Sequence, residues 1–258
     1  MAGFLSLSGA GSYGYSPAQL PNLELWFEGR FISPAPDDGT DLTTWNEKSN
    51  TRNATQSGAD NKPHYHDTTT ARLINGLPTV QFDGVNDIME ISDFAYTSYN
   101  SGFYFFGVIR TGAEPAAEEI ILAHYLATGN QRSWLVSRNS DKTMHVILSA
   151  DGTYGAGADK DYKGGTLDND TVYLVEFHYD MTTLDLVIDS TTITPTKTND
   201  DAVASLKDST EDPAIGRIVA GLPYEGDVAL LVFGSKSLSD DEKIGMRAYC
   251  RNIYDAGS

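Results

Sequence analysis

INGLPTVQFDGVNDIMEI, residues Ile74 to Ile91, carries two short apolar runs joined through Asp83, Gly84, Val85, Asn86 and Asp87. Val80 and Phe82 alternate with Thr79, Gln81 and Asp83, the period of two that a half-buried strand requires, and the D-G and N-D pairs tolerate turn backbone. The stretch therefore predicts strand, turn and strand, and a similar cadence recurs along the chain.

Strand-like runs occupy Leu23 to Phe27, Thr79 to Phe82, Phe103 to Arg110, Glu119 to Tyr125 and Ser133 to Ser137. They continue at Met144 to Ala150, Val172 to Tyr179, Leu184 to Ser190, Ile215 to Val219 and Asp227 to Phe233. So many short segments separated by turn residues predict an all-β, antiparallel sandwich. Asn139-Ser140-Asp141 and Met181-Thr182-Thr183 fall where two hairpins should reverse. One helix is predicted from Ser239, because a serine N-cap with Glu242 three residues later forms a capping box. Lys243, Arg247 and Arg251 recur at i, i+4 and i+8 on it. They read as a solvated basic face near the helix C-terminus, or as a contact for an acidic neighbouring copy.

The chain of 258 residues, 40% hydrophobic, is long enough for one sandwich with its own core. A formal charge of −18, from 36 acidic and 18 basic residues, repels phosphate backbones and argues against a nucleic-acid partner. Cys250 is the single cysteine, so an intrachain disulfide and a cysteine metal cluster are both excluded. No apolar run approaches the roughly 20 residues of a membrane helix.

Residues 1–21 mix Gly, Ser, Ala and Tyr with scattered apolar side chains, a composition that cannot fold alone. They are expected to form a docking arm, with Phe4, Leu5, Leu7, Tyr13 and Tyr15 as contacts, ahead of a sandwich at 22–258. The first charged residue is Glu24, so the opening lacks the basic region of a secretory signal.

Further motifs agree with one another: Leu25-Trp26-Phe27, Trp45-Asn46-Glu47-Lys48-Ser49-Asn50, Asn53-Ala54-Thr55-Gln56, Lys62-Pro63-His64-Tyr65, the Val172–Ile188 hairpin, and Gly226-Asp227-Val228-Ala229. With Gly76, Pro78, Val80, Phe82, Asp83, Gly84, Asn86 and Asp87, the chain resembles the concanavalin A-like, laminin-G-type jelly-roll superfamily from about Leu23 to Tyr254. Glu47 and Asn50 depart from its commonest residues, and Leu230 replaces a glutamate of its closing strand. The resemblance implies the fold; it leaves function open, because this sandwich hosts lectins, hydrolases and structural modules.

Three constellations could carry chemistry. Asp83, Asn86 and Asp87 offer oxygen ligands of the kind calcium takes, and some relatives bind calcium near such loops, but three residues fall short of six to eight oxygens. A hydrogen-bonded turn is the better reading. His64 and His66 flank Tyr65 on one strand face without a third ligand, so no metal is assigned. The Gly-rich loop Asp151 to Thr166 holds Tyr154, Asp159, Asp161 and Tyr162, aromatics beside carboxylates as a sugar site uses them; an ordinary long hairpin loop or a protein contact are its alternatives. The paired-carboxylate strand of this sandwich's glycosidases, with acid and nucleophile about 5 Å apart, is missing. So are a Q-x-H strand, a G-x-S-x-G elbow and a phosphate loop.

These readings converge on a non-enzymatic virion component of the laminin-G-like type frequent among phage structural genes, made in the host cytoplasm without a signal and with no cofactor. Its expected partners are other virion proteins, copies of itself in an assembly, and host glycans. The alternatives are a carbohydrate-binding lectin or receptor-binding head, and a diverged polysaccharide-degrading enzyme.

Overall fold

Alternation decides which side of each strand is wet, and here it builds two sheets with three apolar layers. The computed structural model describes residues 14–49, 52–126, 128–155, 157–218 and 221–257. Phe4, Leu5, Leu7 and Tyr13 of the expected arm lie outside them. In the first sheet the order is Thr191–Ile193, Leu184–Ile188, Val172–Tyr179, Phe103–Thr111, Glu225–Gly234, Thr79–Asp83, His64–His66 and Thr40–Asp41, with Leu23–Glu28 also pairing Glu225–Gly234. The second runs Thr196–Asp200, Asp159–Gly164, Met144–Ser149, Gln131–Arg138, Glu119–Leu126, Ala214–Ile215, Met89–Ile91, Ala54–Thr55 and Thr44–Trp45. Every ladder is antiparallel, and the fold is the jelly-roll sandwich with one C-terminal helix that the sequence predicts.

Between the sheets, Phe27, Phe105, Phe177 and Phe233 meet Trp134, Val136, Val146 and Leu148. Trp134 stacks on Phe233 at 4.2 Å and donates its indole N–H to the Tyr96 hydroxyl at 2.7 Å, so a buried ring with a polar atom leaves nothing unsatisfied. The chain continues from Tyr96 to His124 Nδ1, and His124 Nε2–H donates to the Glu211 carbonyl at 2.6 Å.

Both predicted hairpins reverse where expected. Asp141 Oδ1 accepts the Thr143 N–H at 3.0 Å, and Asp180 Oδ1 accepts those of Thr182 and Thr183 at 2.9 and 2.7 Å. Of the run read at Ile215 to Val219, the last residue lies outside the described ones, and among the rest the strand Ala214–Ile215 ends where Gly216 turns the backbone to φ +84°.

The helix Asp240–Tyr254 starts at Ser239 with the capping box in place and packs Met246, Tyr249, Cys250 and Tyr254 on the outer face of the first sheet. The structure corrects the reading of its basic stripe as a solvated face at Arg247. Arg247 reaches inward to hold Glu176, a fully buried carboxylate, through bonds of 2.9 and 3.0 Å, and Arg251 donates to the Gly257 carbonyl at 2.7 Å. Buried acids on the sheet set this direction: Glu28 likewise accepts from Trp26 Nε1 at 3.0 Å and from the Tyr249 and Tyr254 hydroxyls at 2.9 and 2.5 Å. Tyr15 of the expected arm also packs here, its ring against Gly245 of the same chain.

Candidate functional site

Among the described residues no helix covers the outer face of the second sheet, and its side chains follow from register. The period of two that sends Trp134, Val136, Val146 and Leu148 into the core sends Leu135, Ser137, His145 and Ile147 outward. Pairing then assembles two adjacent rows: Ala123, Leu135, Ile147 and Asp161; and Ile120, Ser137, His145 and Lys163. Ile120, Ala123, Leu135 and Ile147 form a small apolar patch with Ile218, against which Tyr125 and Leu222 pack. Above it lies a groove of about 470 Å³ walled by Glu118, Tyr125, His145, Tyr154, Lys163 and Leu222. A second hollow of about 210 Å³ adjoins it through Tyr125 and Ile218 and has an acidic lining of Glu90, Glu211 and Asp212.

His145 sits between two carboxylates at the groove's polar end. With both ring nitrogens protonated, Nδ1 donates to Glu118 Oε1 at 2.6 Å and Nε2 to Asp161 Oδ1 at 2.9 Å. Burial works to lower the histidine's pKa, but its bonds to Asp161 and Glu118 outweigh that and hold it above the ordinary value. Burial likewise opposes the charged forms of Glu118 and Asp161. The imidazole, with the Ser137 hydroxyl on Glu118 at 2.5 Å and the Tyr154 hydroxyl on Asp161 at 2.7 Å, still holds both below the usual carboxylate range. Tyr154 is the one exposed Phe, Tyr or Trp ring among the described residues, 49% accessible, and its bond to Asp161 fixes it on the rim.

The loop that carries Tyr154 is tied down locally. Arg132 donates to the Gly152 carbonyl at 3.2 Å and to the Tyr125 hydroxyl at 3.1 Å. Gly152, at φ +84°, comes so near the Asn130 carbonyl that a Cβ there would stand 1.8 Å from its oxygen. Only glycine fits that approach.

Of the four ligand residues expected from the sequence, Tyr154 and Asp161 come together. The segment read as a loop forms the strand Asp159–Gly164, whose alternation separates Tyr162 from them and keeps Asp159 on the face of Asp161. Tyr162 alternates to the inner face, 1% exposed, and donates to Asp200. Asp159 is buried, accepting from Asn199 Nδ2 at 2.9 Å. Reasoning from sequence missed Glu118, Tyr125, Leu135, His145, Ile147, Ile218 and Leu222. The available signal was MHVILS, where His145 and Ile147 alternate with Met144, Val146 and Leu148 and so stand together on the opposite face.

Asp83 to Asp87 is a hydrogen-bonded turn. Asp83 Oδ1 accepts the N–H groups of Val85 and Asn86 at 2.8 and 3.2 Å, and Asp87 Oδ2 accepts that of Asp83 at 2.8 Å. Asp83 Oδ1 and Asp87 Oδ2, held in this way, are two of the oxygens that the calcium allowed by the resemblance would take. His64 is half exposed, while His66 bonds Gln81 Oε1 at 2.8 Å. Among the described residues no group of three or more His, Cys, Asp or Glu could hold a metal ion, and no helix is long and apolar enough to cross a membrane.

The class these observations define is an antiparallel jelly-roll sandwich with one sheet face sealed by a helix and the other left open as a groove. Solved structures share that fold. Trypanosoma rangeli sialidase matches with a TM-score of 0.60 and 14% identity over 90% of this chain and 33% of its own. The binding domain of Paraclostridial Mosquitocidal Protein 1 matches with a TM-score of 0.58 and 10% identity over 88% of this chain and 52% of that one. The chain thus spans about a third of the sialidase's length and half of the toxin chain's, and identities this low show the fold alone. No family model matches the chain, and no curated protein matches it.

Proposed function

We propose that this chain is a carbohydrate-binding sandwich that takes a glycan in the groove of its second sheet. The observation that carries the reading is Tyr154: an exposed ring held by a buried carboxylate on the rim of a 470 Å³ groove with an apolar floor. Rings stack on the apolar faces of sugars while fixed polar groups sort the hydroxyls, and a pre-set ring loses little entropy on binding. The likeness to folds named as a sialidase and a toxin binding domain supports the class; one such sialidase is solved in complex with sialic acid. Both Asp161 oxygens and both His145 nitrogens are already bonded within the chain, which favours holding a ligand over transferring protons to it. The test is a glycan array followed by calorimetry, with product release from the bound glycan assayed beside it. Saturable binding lost in Tyr154→Ala supports the reading. Binding unaffected by that change, or turnover of the glycan, overturns it.

In the same proposal the module serves a virion component, docked through residues 1–21. That part rests on the sequence resemblance, and co-sedimentation of the full chain with candidate particles tests it.

A further inference from the structure

The two walls of the groove share one mechanical support. Glu118 and Tyr154 both line it, and both connect to His145: Glu118 directly at 2.6 Å, and Tyr154 through Asp161 by bonds of 2.7 and 2.9 Å. His145 is 3% exposed and Asp161 fully buried, so water has little access to replace either bond. A neutral imidazole carries one N–H and one lone pair. It can serve only one of the two carboxylates, and turns a lone pair on the other at hydrogen-bonding distance.

We propose that His145, as an imidazolium bridging Glu118 and Asp161, is the positioning residue of this groove, and that losing its proton releases one wall and weakens ligand binding. With the proton kept on Nε2, Glu118 is left with the Ser137 hydroxyl alone and can lean toward solvent. With it kept on Nδ1, Asp161 keeps only Tyr154, and the two lose their tie to the ring. Either tautomer alters the lining.

The charged and titratable groups that face His145 are Glu118 before the strand Glu119–Leu126, Asp161 and Lys163 on Asp159–Gly164, and Tyr154 on the loop; Tyr125 and Asp159 stand behind them. Gln131–Arg138 contributes the uncharged Ser137, which bonds Glu118. The sign is then set. The imidazolium, favoured by its two partners over its burial, persists above the ordinary histidine range, and the groove is formed below that raised midpoint and loosened above it. The inference takes its ligand from the glycan-binding reading but its geometry from the chain alone.

The full chain, with labelled histidine and tyrosine rings, is titrated by NMR without ligand from about pH 5 to about pH 10, and a printed array of neutral oligosaccharides is probed at about pH 6 and about pH 9. The expected result is a His145 midpoint above the free value of about 6.5, a Tyr154 or Glu118 resonance moving with it, and array binding at least about fivefold weaker at the higher pH. Glu118→Gln removes one of the two demands on the ring, so the midpoint should fall and the pH dependence of binding flatten, which a purely structural role would not produce. A His145 midpoint at or below the free value, walls that ignore its titration, or equal array binding at both pH values overturns the inference. An array silent at both pH values instead sinks the glycan reading, and the ligand-free titration still decides the clamp.

Discussion

Replacing Arg247 by methionine isolates the ion pair under the helix. The change keeps an unbranched chain to cover the sheet but removes three bonds of 2.9 to 3.0 Å from Glu176, whose side chain is inaccessible. Removing one partner of a buried pair costs about 3–5 kcal/mol, because the remaining charge stays desolvated. Two features reduce that here. Arg247 is itself 22% exposed, so water can approach from its side, and His178 Nε2 still bonds Glu176 at 2.8 Å. A loss of about 2–3 kcal/mol is expected, which lowers the melting temperature by roughly 5–10 °C for a chain of this size. Urea unfolding at neutral pH, followed by tryptophan fluorescence, measures it. Combining the change with Glu176→Gln should recover part of the loss, since an amide is far less costly to leave in the same place. A change smaller than about 0.5 kcal/mol, the range of an ordinary surface substitution, would refute the argument and return the stripe to a solvated face.

Tyr154→Phe keeps the ring but deletes the bond to Asp161, and should weaken glycan binding less than Tyr154→Ala, which removes the stacking ring at a cost of about 2 kcal/mol or roughly thirtyfold by calorimetry. His124 is pushed down to about 4 by burial, while in the unfolded chain it takes a proton near 6.5, so its contribution to stability is complete above about pH 6.5. That contribution, up to about 3 kcal/mol, is lost as pH falls to about 4, and the difference in urea midpoint between the protein and His124→Gln should shrink across that window. Gly152→Ala forces a Cβ onto the Asn130 carbonyl at positive φ and should cost roughly 1–3 kcal/mol of strain; hydrogen exchange confined to the Asp151–Gly155 loop would record it, together with weaker binding.

The sandwich was legible because its signals are local. Val80 and Phe82 alternate about a polar turn, Ser239 and Glu242 cap one helix, and Asp141 and Asp180 close two hairpins through their own side chains. Asp159–Gly164 was not legible: DKDYKG has the polarity of a loop, and it pairs as a strand because Met144–Ser149 and Thr196–Asp200 flank it. That one misreading carried Tyr162 to the wrong face, since a strand alternates where a loop need not. The reading of the basic stripe failed at Arg247 for a related reason. Helical spacing places Arg247 on a face, but only the tertiary position of Glu176, remote in sequence, says what that face meets. His145 could not be foreseen as a clamp at all, because Glu118 and Asp161 come from two other segments and only register brings them to it.

The same register argument explains why the site lies on the second sheet. Both sheets have outward apolar residues that must be covered or kept few. On the first, Tyr104, Phe106, Leu174 and Val232 are numerous enough to require the helix, which also brings Tyr249 and Tyr254 to the buried acid Glu28 and Arg247 to Glu176. On the second, the outward set shrinks to Ile120, Ala123, Leu135 and Ile147, which Ile218 and Leu222 cover in part. An apolar floor too small to demand a helix, bordered by a charged triad too well paired to need solvent, leaves a surface that is stable while open. Adding a large apolar residue at Ser137 or Lys163 would extend that floor and remove a polar wall, so either change should trade glycan affinity for self-association, which sedimentation of the variants would reveal.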